Sequence, residues 1–461
     1  MHSGLFGRLG IVGLASLEAP ILAALATETP LLLIGPHGTA KTLLLTRIAE
    51  ALGLPFRHYN ASLLNFDDLV GFPLPTPQGG LEYVRTPATI WGAGAVVFDE
   101  VSRCRPEVQN KLFPIVHERR VQGIELEGLV HRWAAMNPPS GEDADNGYSG
   151  SEPLDAALAD RFGYVVSMPD WRDFTPADRV ALIRAAEHVQ DGTGAAGLRS
   201  ALDHTRRLVA GTSEAFREQV AQYVSLVCSL LAQAGIELSA RRAGMLHRAV
   251  IAVGAATRAL DPESTAKHAA LVALRCSIPQ RAQGIPVPET KVLIAHREAS
   301  KAAVLEHDNP LHAILCARDP VERLRLAVGA PGLPREEFSR VTGDVLALLP
   351  HGAREAAVVH LFETGAIGRL NAALAAQAGD SYARIASTPV FSEALDGKSS
   401  RHEAWNRLKD LLSRLDPAQP RAHLQANAVV SLFAGKKLAT PADVEAAFGA
   451  FAATDQRLGA A

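Results

Sequence analysis

Three clusters of side chains in the first third of the chain have types and spacings suited to handling a polyphosphate. Leu31-Leu32-Leu33-Ile34 leads into Gly35-Pro36-His37-Gly38-Thr39-Ala40-Lys41-Thr42, and an apolar-periodic stretch follows from Leu43. An apolar strand entering a glycine-containing loop and then a helix surrounds a polyanion with backbone N–H groups and the positive end of the helix. Lys41 can then reach β- and γ-phosphates and the Thr42 hydroxyl can bind Mg2+, with Gly35, Pro36, His37, Gly38, Thr39, Ala40 and Leu43 completing the contacts to the nucleotide. The usual pattern has Gly immediately before the Lys, where this chain has Ala40. The competing explanation is a chance Gly-rich turn.

Further on, Ala95-Val96-Val97-Phe98 leads into Asp99-Glu100. A carboxylate at the end of a buried strand beside a phosphate loop can hold Mg2+, and its neighbour can orient and polarise an attacking water, so Asp99 is read as the metal ligand and Glu100 as the base. Ala134-Ala135-Met136-Asn137 places an amide at the tip of another apolar strand, where Asn137 can hydrogen-bond a γ-phosphate or the lytic water. The short amphipathic run Leu154–Phe162 ends in Arg161, which is suited to entering a neighbouring subunit's site and stabilising transition-state charge. The structural alternative is a surface pair between Asp160 and Arg161, which would contribute little.

These side chains need an open sheet to bring them together. Residues 1–172 alternate short apolar runs with helical stretches, the pattern of a parallel sheet covered on both faces. The expected strands are Pro30–Ile34, Phe56–Asn60, Ala95–Phe98, Trp133–Met136 and Tyr164–Met168, with a small hairpin over Val121–Val130. Residues 173–278 read as helical. Thr175-Pro176-Ala177-Asp178 has the hydroxyl, proline and acid of a helix start running towards His188, a Gly-rich break follows at Asp191–Gly197, and further helices cover Glu214–Ala234, Ala240–Ala259 and Pro262–Cys276. Residues 279–289, with three prolines and a Gly, are the expected linker, and residues 290–461 form a further helical domain in which Thr440-Pro441-Ala442-Asp443 repeats the same helix start.

Composition sets the outer limits. With 461 residues, 48% of them hydrophobic, there is chain enough for roughly three domains that need neither disulfides nor structural zinc. A net charge of −3, from 46 basic and 49 acidic side chains, argues against a protein held to nucleic acid by a basic surface. The four cysteines form no Cys-x-x-Cys pair and the histidines form no zinc-hydrolase motif, which fits a reducing, cytoplasmic setting. Leu5–Leu17 superficially resembles a secretory signal, but Glu18 and Glu28 interrupt it well before the ~20 apolar residues of a membrane span.

Taken in order, these motifs resemble an AAA+ ATPase of the MoxR group, related to the CbbQ and NorQ proteins and to the magnesium-chelatase ATPase subunit. Gly-Pro-x-Gly-x-Ala-Lys-Thr, with Ala before the Lys, is that group's form of the loop. Further matches are Asp99-Glu100-Val101-Ser102-Arg103 with Val108-Gln109, the Asn137-Pro138 pair, Tyr148 through Phe162, and Ser239-Ala240-Arg241-Arg242-Ala243, which resembles the group's Ser-Pro-Arg-Ala. The resemblance covers approximately residues 10–280. It implies an α/β chain with a P-loop AAA+ core on a parallel five-stranded sheet, a helical lid, and an additional all-α C-terminal domain. It also implies ATP and Mg2+ as ligands, a ring that is commonly a homohexamer, Arg161 acting in trans, and Arg241 as the second sensor arginine in cis or in trans.

Asn65–Phe72 occupies the place of the group's axial loop and Val121–Val130 that of its second insert, although Phe66 and Phe72 can equally be core residues. Arg103, Arg119 and Arg120 are either further interface residues or a solvated face. Members of the group typically work with a protein carrying a von Willebrand factor A domain and remodel or activate a protein client, a task for which residues 290–461 would recruit the partner. A metal-chelatase motor shares every motif, and a DNA-directed AAA+ motor is the alternative that the near-neutral charge disfavours.

Overall fold

A computed structural model of the chain describes residues 4–139, 151–185, 193–264, 266–304, 309–387, 399–419 and 421–459. Among them the strands are β1 (Leu31–Ile34), β2 (Phe56–Asn60), β3 (Phe72–Pro75), β4 (Leu81–Val84), β5 (Ala95–Asp99), β6 (Arg120–Val121), β7 (Ile124–Glu125), β8 (His131–Met136) and β9 (Tyr164–Ser167). Five of these form one parallel sheet in the order β2-β5-β8-β1-β9, and they are the five strands expected from the sequence. Leu31, Leu32 and Leu33 are fully buried because strands on both sides and helices on both faces enclose them, which is why these strands read as continuous apolar runs. Parallel pairing puts the carboxyl ends of β1, β5 and β8 along one edge of the sheet, where a ligand crevice forms in open α/β folds.

The first compact unit runs from Met1 to Ala303. Its helices are α1 (Glu18–Ala26), α2 (Lys41–Leu52), α3 (Phe66–Val70), α4 (Pro106–Glu118), α5 (Ala156–Ala159), α6 (Pro176–Ala185), α7 (Thr193–Ala210), α8 (Glu214–Gln233), α9 (Ala240–Leu260), α10 (Ala266–Arg275) and α11 (Glu289–Ala302). Helix α9 packs against α1, α7, α8 and α10, so the helical layer sits directly on the sheet's own helices. The serines that cap α8 and α9 accept hydrogen bonds from Phe216 N and Arg242 N. The expected end of the first of these helices near His188, and Asp191 and Gly192 of the Gly-rich break, lie outside the described residues.

Three features differ from expectation, the first being that Thr193–Gly197 of the expected Gly-rich break form the first turns of α7. Residues 279–289 are not a free linker: Ile278 and Ala282 are fully buried, and Leu154 N donates to Ala282 O at 2.9 Å. The Val165 N–H of edge strand β9 donates to Cys276 O at 2.7 Å, so the chain entering this segment also covers a sheet edge. Prolines and glycine end the helix here without exposing the chain, and the division between compact units falls after α11, at residues 303 and 304. The third difference is the hairpin β3–β4, which follows α3. Pro73 and Pro75 hide it from a strand pattern, since proline cannot donate to a ladder. Phe72 is 60% exposed and Leu74 53%, so Phe72 is no core residue. The expected second hairpin forms as β6–β7, turning at Gln122 and Gly123 with positive φ at both residues.

The second unit, Val304–Ala461, is helical throughout its described residues. It comprises α12 (Pro310–Cys316), α13 (Pro320–Val328), α14 (Arg335–Leu348), α15 (Ala353–Glu363), α16 (Ala372–Ala386), α17 (Ser400–Ser413), α18 (Ala422–Ala434) and α19 (Pro441–Gly459). Helix α19 is its spine, packing on α13, α15, α17 and α18. Arg421 pairs with Glu363 and with Asp455, tying the ends of three helices together. No helix of the described residues is long and apolar enough to cross a membrane.

Both Thr-Pro-Ala-Asp sequences form reciprocal caps. Asp443 N donates to Thr440 Oγ1 at 3.2 Å and Thr440 N to Asp443 Oδ2 at 2.9 Å, and Thr175 and Asp178 do the same for α6. Thr440→Ala is expected to cost the C-terminal unit about 1 kcal/mol in urea denaturation, with Thr440→Ser restoring most of the loss.

Candidate functional site

The phosphate loop leaves β1 at Gly35, whose N–H donates to Met136 O at 3.1 Å and so keeps the loop on the sheet edge. A Cβ at Gly35 would stand 2.6 Å from Met168 Cβ, a contact that excludes any larger residue. The loop ends at Ala40, which caps α2 with φ +60°. This left-handed conformation costs an L-residue roughly 1–2 kcal/mol. A glycine would remove that cost, and the small alanine methyl tolerates it.

Lys41 is buried, and its ammonium donates to Gly35 O at 2.7 Å, Pro36 O at 2.8 Å and Asn137 Oδ1 at 3.3 Å. Burial holds its pKa below that of a free lysine, opposed by the charges of Asp99 and Glu100. One residue on, Thr42 Oγ1 donates to Asp99 Oδ2 at 2.7 Å. His58 Nε2 lies 3.3 Å from the same oxygen, a neighbour that no sequence motif announced because it sits on edge strand β2. Burial alone would raise the pKa of Asp99, but hydrogen bonds from His58, Thr42 and the Glu100 N–H outweigh it and keep the carboxylate ionised. An ionised carboxylate beside a hydroxyl is a hard-oxygen donor pair of the kind that suits Mg2+.

Glu100 follows β5 in a left-handed conformation, φ +55°, at the start of a single 3-10 turn. Its carboxylate takes Asn137 Nδ2 at 3.2 and 3.3 Å and Arg103 Nε at 3.1 Å. Lys41, Thr42, Asp99, Glu100 and Asn137 therefore form one connected polar group drawn from three adjacent strands. Arg103 belongs to it within its own chain. Arg119 instead pairs with Glu28 at 2.9 Å, at the end of β1 opposite the loop, and Arg120 is exposed on β6.

Arg161 and Arg241 stand apart from this group and close to each other's partner. Arg161 donates to Ala157 O at 2.6 Å and lies 4.6 Å over the Phe113 ring, instead of pairing with Asp160. Asp160 takes Ser239 Oγ at 3.2 Å, Arg241 Nη1 at 3.6 Å and Arg242 Nε at 3.5 Å. The two lid arginines differ sharply. Arg242 has no exposed side-chain surface and donates to Ala159 O, Phe162 O and Gly163 O, whereas the Arg241 side chain is 47% exposed. Burial pulls the Arg242 guanidinium down to about 10 against the pull of Asp160. Ser151 Oγ donates to Asn137 O at 3.2 Å and lies 3.1 Å from the Ser102 hydroxyl, fastening the segment before α5 to the strand tips. Tyr148, Ser149 and Gly150 of the same motif lie outside the described residues.

A cavity of about 440 Å3 opens beside His37, Gly38, Thr39 and Ala40, walled by Val12, Leu14, Pro169, Trp171, Phe174 and the Leu182–Ile183 face of α6. Its apolar walls come from the chain's start and from the turn after β9, segments with no motif of their own. Leu43 is 47% exposed on the first turn of α2.

Residues 30–162 match the family model of the AAA domain, dynein-related subfamily. The phosphate loop, the carboxylate pair and strands β1 to β8 lie within that match, and the chain is an ATP hydrolase with an AAA+ core. Among solved structures it is similar to a candidate ATPase from Cytophaga hutchinsonii at 18% identity and a TM-score of 0.41, over 63% of this chain and 83% of that one. At that level the likeness carries no functional inference. A search of curated proteins finds no match.

Removing the Arg242 side chain strands three carbonyls and takes one of three partners from Asp160, so Arg242→Ala is expected to lower stability by about 3 kcal/mol. Arg241→Ala should stay within about 0.5 kcal/mol of the parent in the same thermal unfolding experiment. Ala40→Gly should gain less than about 1 kcal/mol, relief of left-handed strain being partly offset by a freer unfolded chain.

Proposed function

We propose that this ATP hydrolase is a MoxR-type AAA+ motor that forms a ring, commonly a homohexamer in that group, and uses turnover between subunits to remodel or activate a protein client. A von Willebrand factor A-domain protein is its expected partner, and the C-terminal helical region, residues 290–461, is the expected recruiting unit. The observation that carries the reading is Asp160, which holds Arg241 at the start of the lid and immediately precedes Arg161. Both arginines are bound to this one corner of the chain and neither hydrogen-bonds the phosphate-loop group, as suits cations presented together to a neighbour's nucleotide.

In this reading the loop amides from Gly35 to Ala40 and the end of α2 receive the phosphates, with the adenine in the cavity between Val12, Trp171 and Phe174. Lys41 exchanges the carbonyls of Gly35 and Pro36 for β- and γ-phosphate oxygens, a trade of weak acceptors for charged ones. Thr42 and Asp99 are the residues that would hold Mg2+, which when bound neutralises charge on the phosphates. Glu100 takes the proton of the attacking water, and Asn137, bonded to both Lys41 and Glu100, aligns that water with the γ-phosphate. The left-handed backbone of Glu100 fixes the direction of its carboxylate, which must leave Arg103 to act as a base. Arg161 and Arg241 stabilise the charge that develops on the transferred group.

Glu100→Gln is expected to reduce ATP turnover about 100-fold or more while retaining bound ATP, and the trapped form should pull down the partner. Arg161→Ala should be comparably inactive. Mixing the two inactive variants should recover turnover, because an Arg161→Ala subunit keeps its own base and receives an intact arginine from a Glu100→Gln neighbour. Absence of recovery in a confirmed mixed ring would place Arg161 in cis and remove the ring reading.

A further inference from the structure

Helix α9 carries Arg241 in its first turn. Near its other end, about 20 Å along the axis, is a second cavity that ATP turnover does not use. It has a volume of about 500 Å3 and lies between the end of α7, the start of α8, the last turns of α9, Ser264, and Ala269 of α10. Leu208, Ile251 and Ala255 give it an apolar floor, and Phe216, 36% exposed, stands at its edge. Arg207 and Arg258 line it and are exposed. Nearby arginines are engaged, Arg206 with Asp203 and Arg217 with the carbonyls of Val209 and Thr212. Among the described residues neither Arg207 nor Arg258 has a carboxylate partner.

Gly254 lies in the floor, inside a long helix where glycine costs roughly 1 kcal/mol relative to alanine. A Cβ there would meet nothing within 4 Å, and its φ is not in the left-handed region, so neither packing nor backbone geometry requires glycine. What the missing side chain does is keep the floor open. The geometry points to a docking site for an acidic peptide segment of a protein partner, which seats one apolar side chain over Gly254 and sets carboxylates against Arg207 and Arg258. A peptide suits the site better than a small molecule, because small-molecule sites bury most of the ligand and here both guanidiniums and Phe216 face solvent. Two unpaired cations around an apolar floor select negative charge beside an apolar anchor. The inference does not depend on the ring or client reading, since none of the residues lining the cavity belongs to the phosphate-loop group.

The test is selection of a displayed library of random peptides on the immobilised full-length protein, followed by fluorescence anisotropy of the enriched sequences. Enrichment of an aromatic or aliphatic residue flanked by Asp or Glu is expected, with affinity falling as salt rises. Gly254→Leu, whose Cβ meets no atom within 4 Å, should weaken those peptides about tenfold or more, and Arg207→Glu combined with Arg258→Glu about tenfold, while ATP turnover stays at the parent level. Enriched peptides that bind Gly254→Leu as tightly as the parent, or no acidic enrichment, would overturn the proposal. Self-association that Gly254→Leu abolishes would also overturn it, by assigning the cavity to a second copy of the chain.

Discussion

A buried ammonium group organises the nucleotide end of this molecule. Lys41 cannot be taken out of water without acceptors, so Gly35 and Pro36 turn their carbonyls towards it and Asn137 is drawn to it from the neighbouring strand. Asn137 in turn holds Glu100, and Thr42, next to Lys41, holds Asp99. The parallel sheet makes this economical, since three strands deliver their side chains to one edge with no long-range loop to order. Positive φ at Gly38, Ala40 and Glu100 marks points where the backbone bends sharply to fit that arrangement, two in the loop and one just after β5.

A second junction forms around Asp160. One carboxylate receives a serine that caps α9 and both arginines that follow it, while its own neighbour, Arg161, faces Phe113. The start of α9 at Ser239 is therefore bonded directly to the turn that carries Arg161. Ser151 ties the segment that leads into α5 to the Asn137 carbonyl at the tip of β8. Adjacent arginines divide the labour: Arg242 is a buried cross-brace and Arg241 keeps a solvated guanidinium.

The sequence by itself determined the AAA+ core. Strands buried on both faces have to be continuous apolar runs, and a loop that binds phosphate has to carry small residues and then Lys-Thr, so β1, β5, β8, Lys41, Thr42, Asp99, Glu100 and Asn137 were all legible one after another along the chain. Helix starts at Thr175 and Thr440 were legible for the same reason, because a cap is a contact between residues three apart. Only the tertiary structure decided whatever depends on residues far apart in the chain. It set His58 against Asp99, chose Arg241 over Arg242 as the exposed cation, packed Ala282 under Leu154 where prolines suggested a free linker, and gathered Val12, Trp171 and Phe174 into one cavity. Local spacing fixes which groups a strand or helix presents. Which of them meet, and which stay in water, depends on how those elements pack.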